Sequence, residues 1–350
     1  MNMHFMAPIG GTGYGYVALH LLKELSYNHG AALSLIGQPN VETQEQANAI
    51  QKSIELVHEI EPDAPALKIW HQFDLLVRPG KGKYFAFPFF EVDTFNDTEK
   101  YHLSTVDEII VACGWAKNVL ENNNIDKPIH VVPMGVDSEI FNPLSNQPHD
   151  NYTFATVGKW EKRKAHDIII HCFNKAFTEN DNVELWLVTE NPFLKPEEKE
   201  KWTNLVESSP LRDKIKLFPR LPNQQSVAQV MSYTDCGIYI SRGEGWNMEL
   251  LETMALNKPV IASNYSAHTE YCNDQNSFLV DMDETEEALD GKWFHGNSNW
   301  GKIGSDQIEQ TISHMRKCYE NRITDNPEGL KTAQNLTWKN SCHQLIGCMS

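Results

Sequence analysis

The chain has 350 residues, of which 41% are hydrophobic and 22% charged, with a formal net charge of −17. That length predicts two domains with ordinary cores, and the composition excludes wholesale disorder. The acidic balance argues against a general nucleic-acid coating role, since phosphate contacts supply most non-specific affinity, while leaving room for a local basic cleft.

In chain order, Met3 to Pro8 reads as a strand, followed by the glycine-rich run Gly10-Gly11-Thr12-Gly13-Tyr14-Gly15. A helix follows with Val17, Ala18, Leu21, Leu22 and Leu25 on one face. Ala32 to Ile36 is a second strand and Gln44 to Glu61 a helix. Leu67 to His71, Tyr84 to Glu91, Glu108 to Cys113 and Ile129 to Val132 are further strands. Two prolines and several turn formers interrupt the periodicity over Phe141 to Pro148, which predicts a linker and a hinge at 143–150 that closes on ligand binding.

A fresh alternation then begins. Strands are predicted over 152–157, 183–188, 215–218, 236–240 and 259–262, with helices over 165–177, 196–206, 226–232 and 248–255. The stretch 290–304, rich in Gly, Asn and Trp, reads as a loop, and 337–349 as a final helix. This pattern predicts an α/β chain of two doubly wound domains, with 1–145 and 150–330 as their bounds and a helix over 335–350 that packs back on the first domain. Ligands of such sheets bind at the C-terminal ends of strands. No apolar run reaches the roughly 18 residues of a membrane span, and the N-terminus lacks the pattern of a signal peptide. The seven cysteines are odd in number and lack metal or redox spacing, which fits reduced thiols in a cytoplasmic protein.

Two segments carry chemistry. Ser241 to Ala255 follows a predicted strand, and Gly243 and Gly245 permit a tight turn before a helix that starts near Asn247. Free amides and the helix dipole at such a start attract phosphate, and Glu244 and Glu252 lie where carboxylates grip hydroxyl groups at two ends of one ligand. Thr156 to Lys164 follows another strand and holds Lys159, Lys162, Arg163 and Lys164, of which Lys159 and Lys164 are the candidates for offsetting a diphosphate. Alone, either segment also reads as a solvated loop with an ordinary helix.

Together they resemble glycosyltransferase family four and its GT-B relatives. Gly158-Lys159 with Lys164 matches the family's Gly-Arg/Lys…Lys pattern, and Glu244 and Glu252 match its Glu, seven residues, Glu pattern. Val131 to Asp137 with Phe141-Asn142-Pro143, Lys258 to Ser263, and Glu270 match further family segments, so the likeness spans roughly 105–280. It implies a GT-B fold, two Rossmann-like doubly wound domains facing a central cleft, and a retaining, metal-independent transferase without a cofactor. The co-substrate is a nucleotide-diphosphate sugar and the acceptor a hydroxyl group. By that resemblance Lys159, Lys164 and Glu244 are catalytic. Gly245, Trp246, Asn247, Met248, Glu252, Gly13 and His268 bind the donor. The leaving phosphate itself takes the acceptor's proton.

Departures from the pattern are Asn247 for the family's Gly, Trp246 for Phe, and Glu249 near the usual Pro. Many relatives carry a His where this chain has Phe90-Glu91, and a phage-type branch with Phe-Glu is closer. Glu91 or Asp93 therefore either faces the reacting centre or caps an element. His71, Lys81 and Lys83 complete the acceptor-side candidates. The Phe89 to Asp93 and Asn264 to Glu270 segments also look like those of phage enzymes that modify DNA. With Arg78 to Lys83 as a phosphate-contacting loop, they support DNA bearing hydroxymethylated bases as an alternative acceptor, with a host-cytoplasm location if phage-encoded. A non-catalytic nucleotide-sugar-binding module is the third reading. Asp281-Met282-Asp283 resembles a metal-binding pair only in outline and reads as structural.

Overall fold

The computed structural model describes residues 1–143 and 150–350, so most of the expected hinge at 143–150 lies outside the described residues. The chain divides into two compact units, Met1–Gly135 with Leu336–Ser350, and Val136–Asn335.

The first unit runs β1 (Asn2–Ala7), α1 (Gly13–Asn28), β2 (Gly30–Leu35), α2 (Gln44–Glu55), β3 (Ala66–Lys68), β4 (Tyr84–Ala86), α3 (Asp97–Ser104), β5 (Glu108–Val111), α4 (Gly114–Asn122) and β6 (Ile129–Val131). Its strands pair in parallel in the order β2-β1-β3-β4-β5-β6. The apolar face predicted for α1 is buried throughout, with Val17 at 3% exposure and Ala18, Leu21, Leu22 and Leu25 at 0%. The β1–α1 turn needs its glycines. Gly10 sits at φ +71°, and a Cβ on Gly15 would lie 2.2 Å from the Gly10 carbonyl oxygen. The strand expected over 84–91 stops at Ala86, because Pro88 cannot donate to a ladder.

The second unit runs β7 (Tyr152–Val157), α5 (His166–Ala176), β8 (Val183–Val188), α6 (Pro196–Glu207), β9 (Ile215–Leu217), α7 (Gln224–Ser232), β10 (Cys236–Tyr239), α8 (Met248–Ala255), β11 (Val260–Asn264), β12 (Phe278–Asp281), β13 (Thr285–Leu289), β14 (His295–Gly301), α9 (Ser305–Glu320) and α10 (Pro327–Asn335). The last helix, α11 (Trp338–Met349), belongs to the first unit, where Trp338 stacks on His20 at 4.9 Å. The parallel order is β12-β11-β10-β7-β8-β9. Every residue of β7 is buried, as expected of a central strand covered on both faces.

One expectation fails. The predicted loop over 290–304 contains β14, which pairs antiparallel with β13 to form a hairpin. Its His-Gly-Asn-Ser-Asn-Trp-Gly sequence carries almost no strand propensity. What holds it is backbone pairing together with Trp300, fully buried against Phe294 at 5.0 Å. Among the described residues no helix is long and apolar enough to cross a membrane, and all seven cysteines are free thiols.

Candidate functional site

The second sheet reverses its strand order between β7 and β10, and open α/β sheets bind ligands outside the strand ends at such a switch. The loops that leave β7 and β10 are the two segments singled out in the sequence. They are tied together by Arg242 N donating to Arg163 O at 2.7 Å.

The first loop is shaped to deliver a lysine. Gly158 lies at φ +133°, and a Cβ there would stand 2.9 Å from Lys164 Cδ, so only glycine leaves the lysine its path. A short 3₁₀ turn, Lys162–Lys164, ends at Ala165 in the left-handed region and hands the chain to α5.

From these loops the side chains form an alternating chain of charge. Lys164 Nζ meets Glu244 Oε1 at 3.0 Å and lies 3.9 Å from Glu249 Oε2. Arg163 Nη1 meets Glu244 Oε2 at 2.7 Å and donates to Gly243 O at 2.7 Å, while its Nη2 reaches Glu161 Oε2 at 3.0 Å. Glu161 in turn pairs with Lys159 at 3.2 Å. Ser241 Oγ donates to Glu244 Oε1 at 2.7 Å, and Glu244 N donates to Ser266 Oγ at 2.8 Å.

The start of α8 departs from expectation in one respect. Its left-handed residue is Asn247, at φ 76°, and not Gly243 or Gly245. Asn is the non-glycine residue that tolerates this conformation best, which explains why it stands where relatives carry Gly. It also caps the helix, accepting from Leu250 N at 3.2 Å. Its amide faces His268 Nε2 at 2.9 Å, and His268 Nδ1 faces the Ser263 carbonyl at 3.0 Å. A carbonyl only accepts, so the proton is assigned to Nδ1 and Nε2 accepts from Asn247. Trp246 is buried against Tyr271 at 4.8 Å, and the Tyr271 hydroxyl donates to the Trp246 and Asn247 carbonyls.

Burial works on every group here. It would raise the Glu244 carboxyl, but Arg163, Lys164 and His268 outweigh it and hold Glu244 well below the usual carboxylate range. Burial would also lower Lys164, yet Glu244 and Glu249 raise it, so it stays charged. Glu252 behaves oppositely. Burial, then Glu249 and Asp137, push its carboxyl well up against a single opposing hydrogen bond with Gln224. An ionised Glu252 was expected from the sequence; in this structure its environment favours the neutral acid.

Burial lowers two neutral histidines, His268 to about 4 and His166 to about 3. Such groups take up protons in the unfolded chain first. Their stabilisation is therefore complete above the unfolded value near 6.5 and is lost as pH falls from there through the folded values. Among the described residues neither of the buried His166 ring nitrogens has a hydrogen-bond partner. His166→Phe is thus expected to flatten the stability profile between pH 6.5 and 4 and to add about 1–3 kcal/mol at neutral pH. Urea denaturation across that range checks it, and an unchanged slope would refute the assignment.

The structure brings Lys164, Glu244, Gly245, Trp246, Asn247, Met248 and His268 together, with Glu252 just over one turn into α8. Lys159 is joined only through Glu161. Its side chain is 42% exposed and lies over the Phe193 ring at 5.4 Å. The sequence reading passed over Arg163, Glu161 and Glu249. Arg163 sat inside the cation run, where only burial separates a structural arginine from a solvated one.

In the first unit the order reverses between β1 and β3, and the β1–α1 loop and His71 lie at that switch. Tyr14, next to Gly13, contacts His71 at 4.7 Å and Phe89 at 5.4 Å. Its hydroxyl donates to Phe89 O at 2.8 Å, and burial followed by the Glu91 carboxylate raises its pKa. A Cβ at Gly13 would meet nothing within 4 Å, so packing does not require that glycine. Asp93 accepts from Thr94 Oγ1 at 2.9 Å, and its carbonyl accepts from Asn123 at 2.9 Å. Lys81 and Lys83 are not brought to this cluster. They precede β4, at the N-terminal ends of the strands, where Lys83 pairs with Glu108 and Lys81 N donates to Pro62 O.

Residues 151–291 match the family model described as glycosyl transferases group 1. An uncharacterized glycosyltransferase of Methanocaldococcus jannaschii is 23% identical over 176 residues, which is 47% of this chain and 41% of that relative's length. Sucrose-phosphate synthase of Thermosynechococcus elongatus superposes with a TM-score of 0.72 at 13% identity, covering 99% of this chain and 98% of its own. Anabaena HepE in complex with UDP-glucose gives a TM-score of 0.71 at 13% identity, covering 99% of each chain. A Rickettsia africae glycosyltransferase gives 0.70 at 14% identity, covering 99% and 97%. The chain therefore has the GT-B fold, and its residues 151–291, less than half of its length, match the glycosyl transferases group 1 model.

Proposed function

We propose that this chain is a retaining glycosyltransferase that moves a sugar from a nucleoside diphosphate donor, UDP-linked in the first instance, to a hydroxyl acceptor. The observation that carries the reading is the convergence of two buried cations, Arg163 and Lys164, on Glu244 at the switch point beside the start of α8. UDP is named because Anabaena HepE, which shares the fold, was captured with UDP-glucose.

Charge on the leaving diphosphate grows as the bond to the sugar breaks. Lys164 and Arg163, already desolvated and oriented, offset that charge without reorganising. They supply the electrostatic role a divalent cation fills elsewhere, so transfer is metal-independent in this scheme. Glu244, ionised and fixed by Ser241, accepts hydrogen bonds from donor sugar hydroxyls. Glu252, as a neutral acid, both donates to and accepts from a ribose hydroxyl and adds no second negative charge beside the phosphates. The leaving phosphate takes the acceptor's proton on the same face, which retains the anomeric configuration.

The test is a thermal-shift and turnover screen of the full chain with UDP, GDP, ADP and their glucose or mannose conjugates, in EDTA. One nucleotide is expected to raise the melting temperature, by an amount equivalent to about 2.7 kcal/mol at a hundredfold excess over Kd. Glu252→Ala is expected to abolish that shift. A folded chain that no nucleoside diphosphate stabilises would overturn the reading.

A further inference from the structure

A cavity of about 410 Å³ opens beside the Trp160–Lys164 loop, and its lining leaves out Arg163, Lys164, Glu244 and Glu252. Its size lies in the roughly 300–1,000 Å³ range of small-ligand pockets. One wall is aromatic, with Trp160 stacked on Trp202 of α6 at 4.9 Å and an interplanar angle of 26°. The facing wall is the tip of the β13–β14 hairpin, the element whose sequence gave no strand signal.

That tip is held in place. Asp290 Oδ1 accepts from the amides of Lys292, Trp293 and Phe294 at 2.8, 2.8 and 2.9 Å. Lys292 then clamps the tip to α6 and the preceding loop, meeting Glu198 at 2.7 Å and donating to Phe193 O at 2.9 Å. The turn presents Trp293 at the cavity with 49% of its surface exposed.

The polar groups of the lining are mostly spent. Glu161 is engaged by Lys159 and Arg163, Glu198 by Lys292, Asp290 by three amides, and Lys162 donates to Leu289 O at 2.8 Å. Lys201 lines the cavity with no ion pair or hydrogen bond among the described residues, and among the acceptors Asp167 is the exception. It lines the cavity, and its Oδ1 is buried with no hydrogen-bond partner among the described residues. A buried acceptor without a partner costs free energy that a ligand donor would recover. No group of three His, Cys, Asp or Glu suited to a metal ion occurs among the described residues. The Trp293 ring, with Lys292 Nζ 5.5 Å from its centroid, and an unpartnered acceptor in the same lining suit a ligand with apolar C–H faces and hydroxyl donors at its edge.

We infer that this cavity binds a saccharide, with a pyranose face on Trp293 and a hydroxyl donated to Asp167. Of the donor-side charge chain only Glu161 reaches the lining, and the two residues that would grip the sugar, Trp293 and Asp167, lie outside that chain, so the inference is testable apart from the transfer reading.

The full chain, with and without UDP, is titrated with maltotriose, cellotriose and chitotriose, read by tryptophan fluorescence and ligand-observed NMR. At least one trisaccharide is expected to bind with a millimolar Kd. Trp293→Ala and Asp167→Ala are each expected to weaken it at least tenfold while leaving UDP affinity within twofold. Failure of all three sugars to bind the folded chain would overturn the inference, as would binding that survives both substitutions. Choline chloride binding in place of the sugars would also overturn it, by making the cavity an aromatic cage for quaternary ammonium. UDP affinity, measured in the same samples, reports on the donor reading separately.

Discussion

Replacing Lys164 with alanine is expected to slow transfer about 10²–10³-fold, the cost of removing one preorganised charge from a developing anion. Lys164 is buried, held between Glu244 and Glu249, and kept on its path by Gly158. Its position is therefore set before any ligand arrives, and in this water-poor setting its charge is weakly screened. Lys159→Ala is expected to cost much less, because that side chain is 42% exposed and tied to Glu161. Steady-state kinetics of the two variants, with UDP affinity measured by calorimetry, tests the ordering. Equal rates for Lys164→Ala and the unaltered chain, or a larger loss for Lys159→Ala, would show that the diphosphate charge is handled elsewhere.

Arg163→Ala is expected to destabilise the fold by about 3–5 kcal/mol, with the lower end favoured because Lys159 and Lys164 keep one partner each on Glu161 and Glu244. Arg163 is 6% exposed and bridges two carboxylates that are themselves nearly buried, Glu161 at 8% and Glu244 at 5%. Removing it leaves both short of a cation in a medium that does not solvate them. It also removes the donor to the Gly243 carbonyl, which helps join the β7 and β10 loops. Arg163→Lys is expected to rescue only part of the loss, since a point charge cannot reproduce a planar fork. Urea denaturation measures both. A loss below about 1 kcal/mol would mean that the pairs barely offset their own desolvation, as buried ion pairs can.

Much of this arrangement was legible from local pattern. Alternating apolar runs and amphipathic stretches identified β1 to β11 and the helices α1, α2, α5 to α8 and α11, because period and burial are coupled residue by residue, while β12, α3, α4, α9 and α10 went unpredicted. The family resemblance carried by Glu244, Glu252, Gly158 and Lys164 pointed to the two loops that leave β7 and β10 at the switch in strand order. Three things were not legible. The role of Arg163 depends on a partner 81 positions away, and a cation run reads the same whether buried or solvated. The β13–β14 hairpin is held by pairing and by one buried tryptophan, neither of which leaves a periodic signal in Gly, Asn and Ser. Lys81 and Lys83 looked like cleft residues by charge alone, yet they precede β4 and so fall at the wrong end of the sheet for the His71 and Glu91 cluster.

The chain's sequence by itself determined its α/β class, its two doubly wound units and the glycine- and charge-bearing loops after β7 and β10, since these follow from propensity, hydrophobic period and turn residues acting over a few positions. Only the tertiary structure decided which charges are buried and therefore strong, which carboxyl is ionised and which is neutral, and which loops share one end of a sheet. Those properties depend on desolvation and on contacts between residues far apart in the chain, and strand order, not sequence order, brings them together.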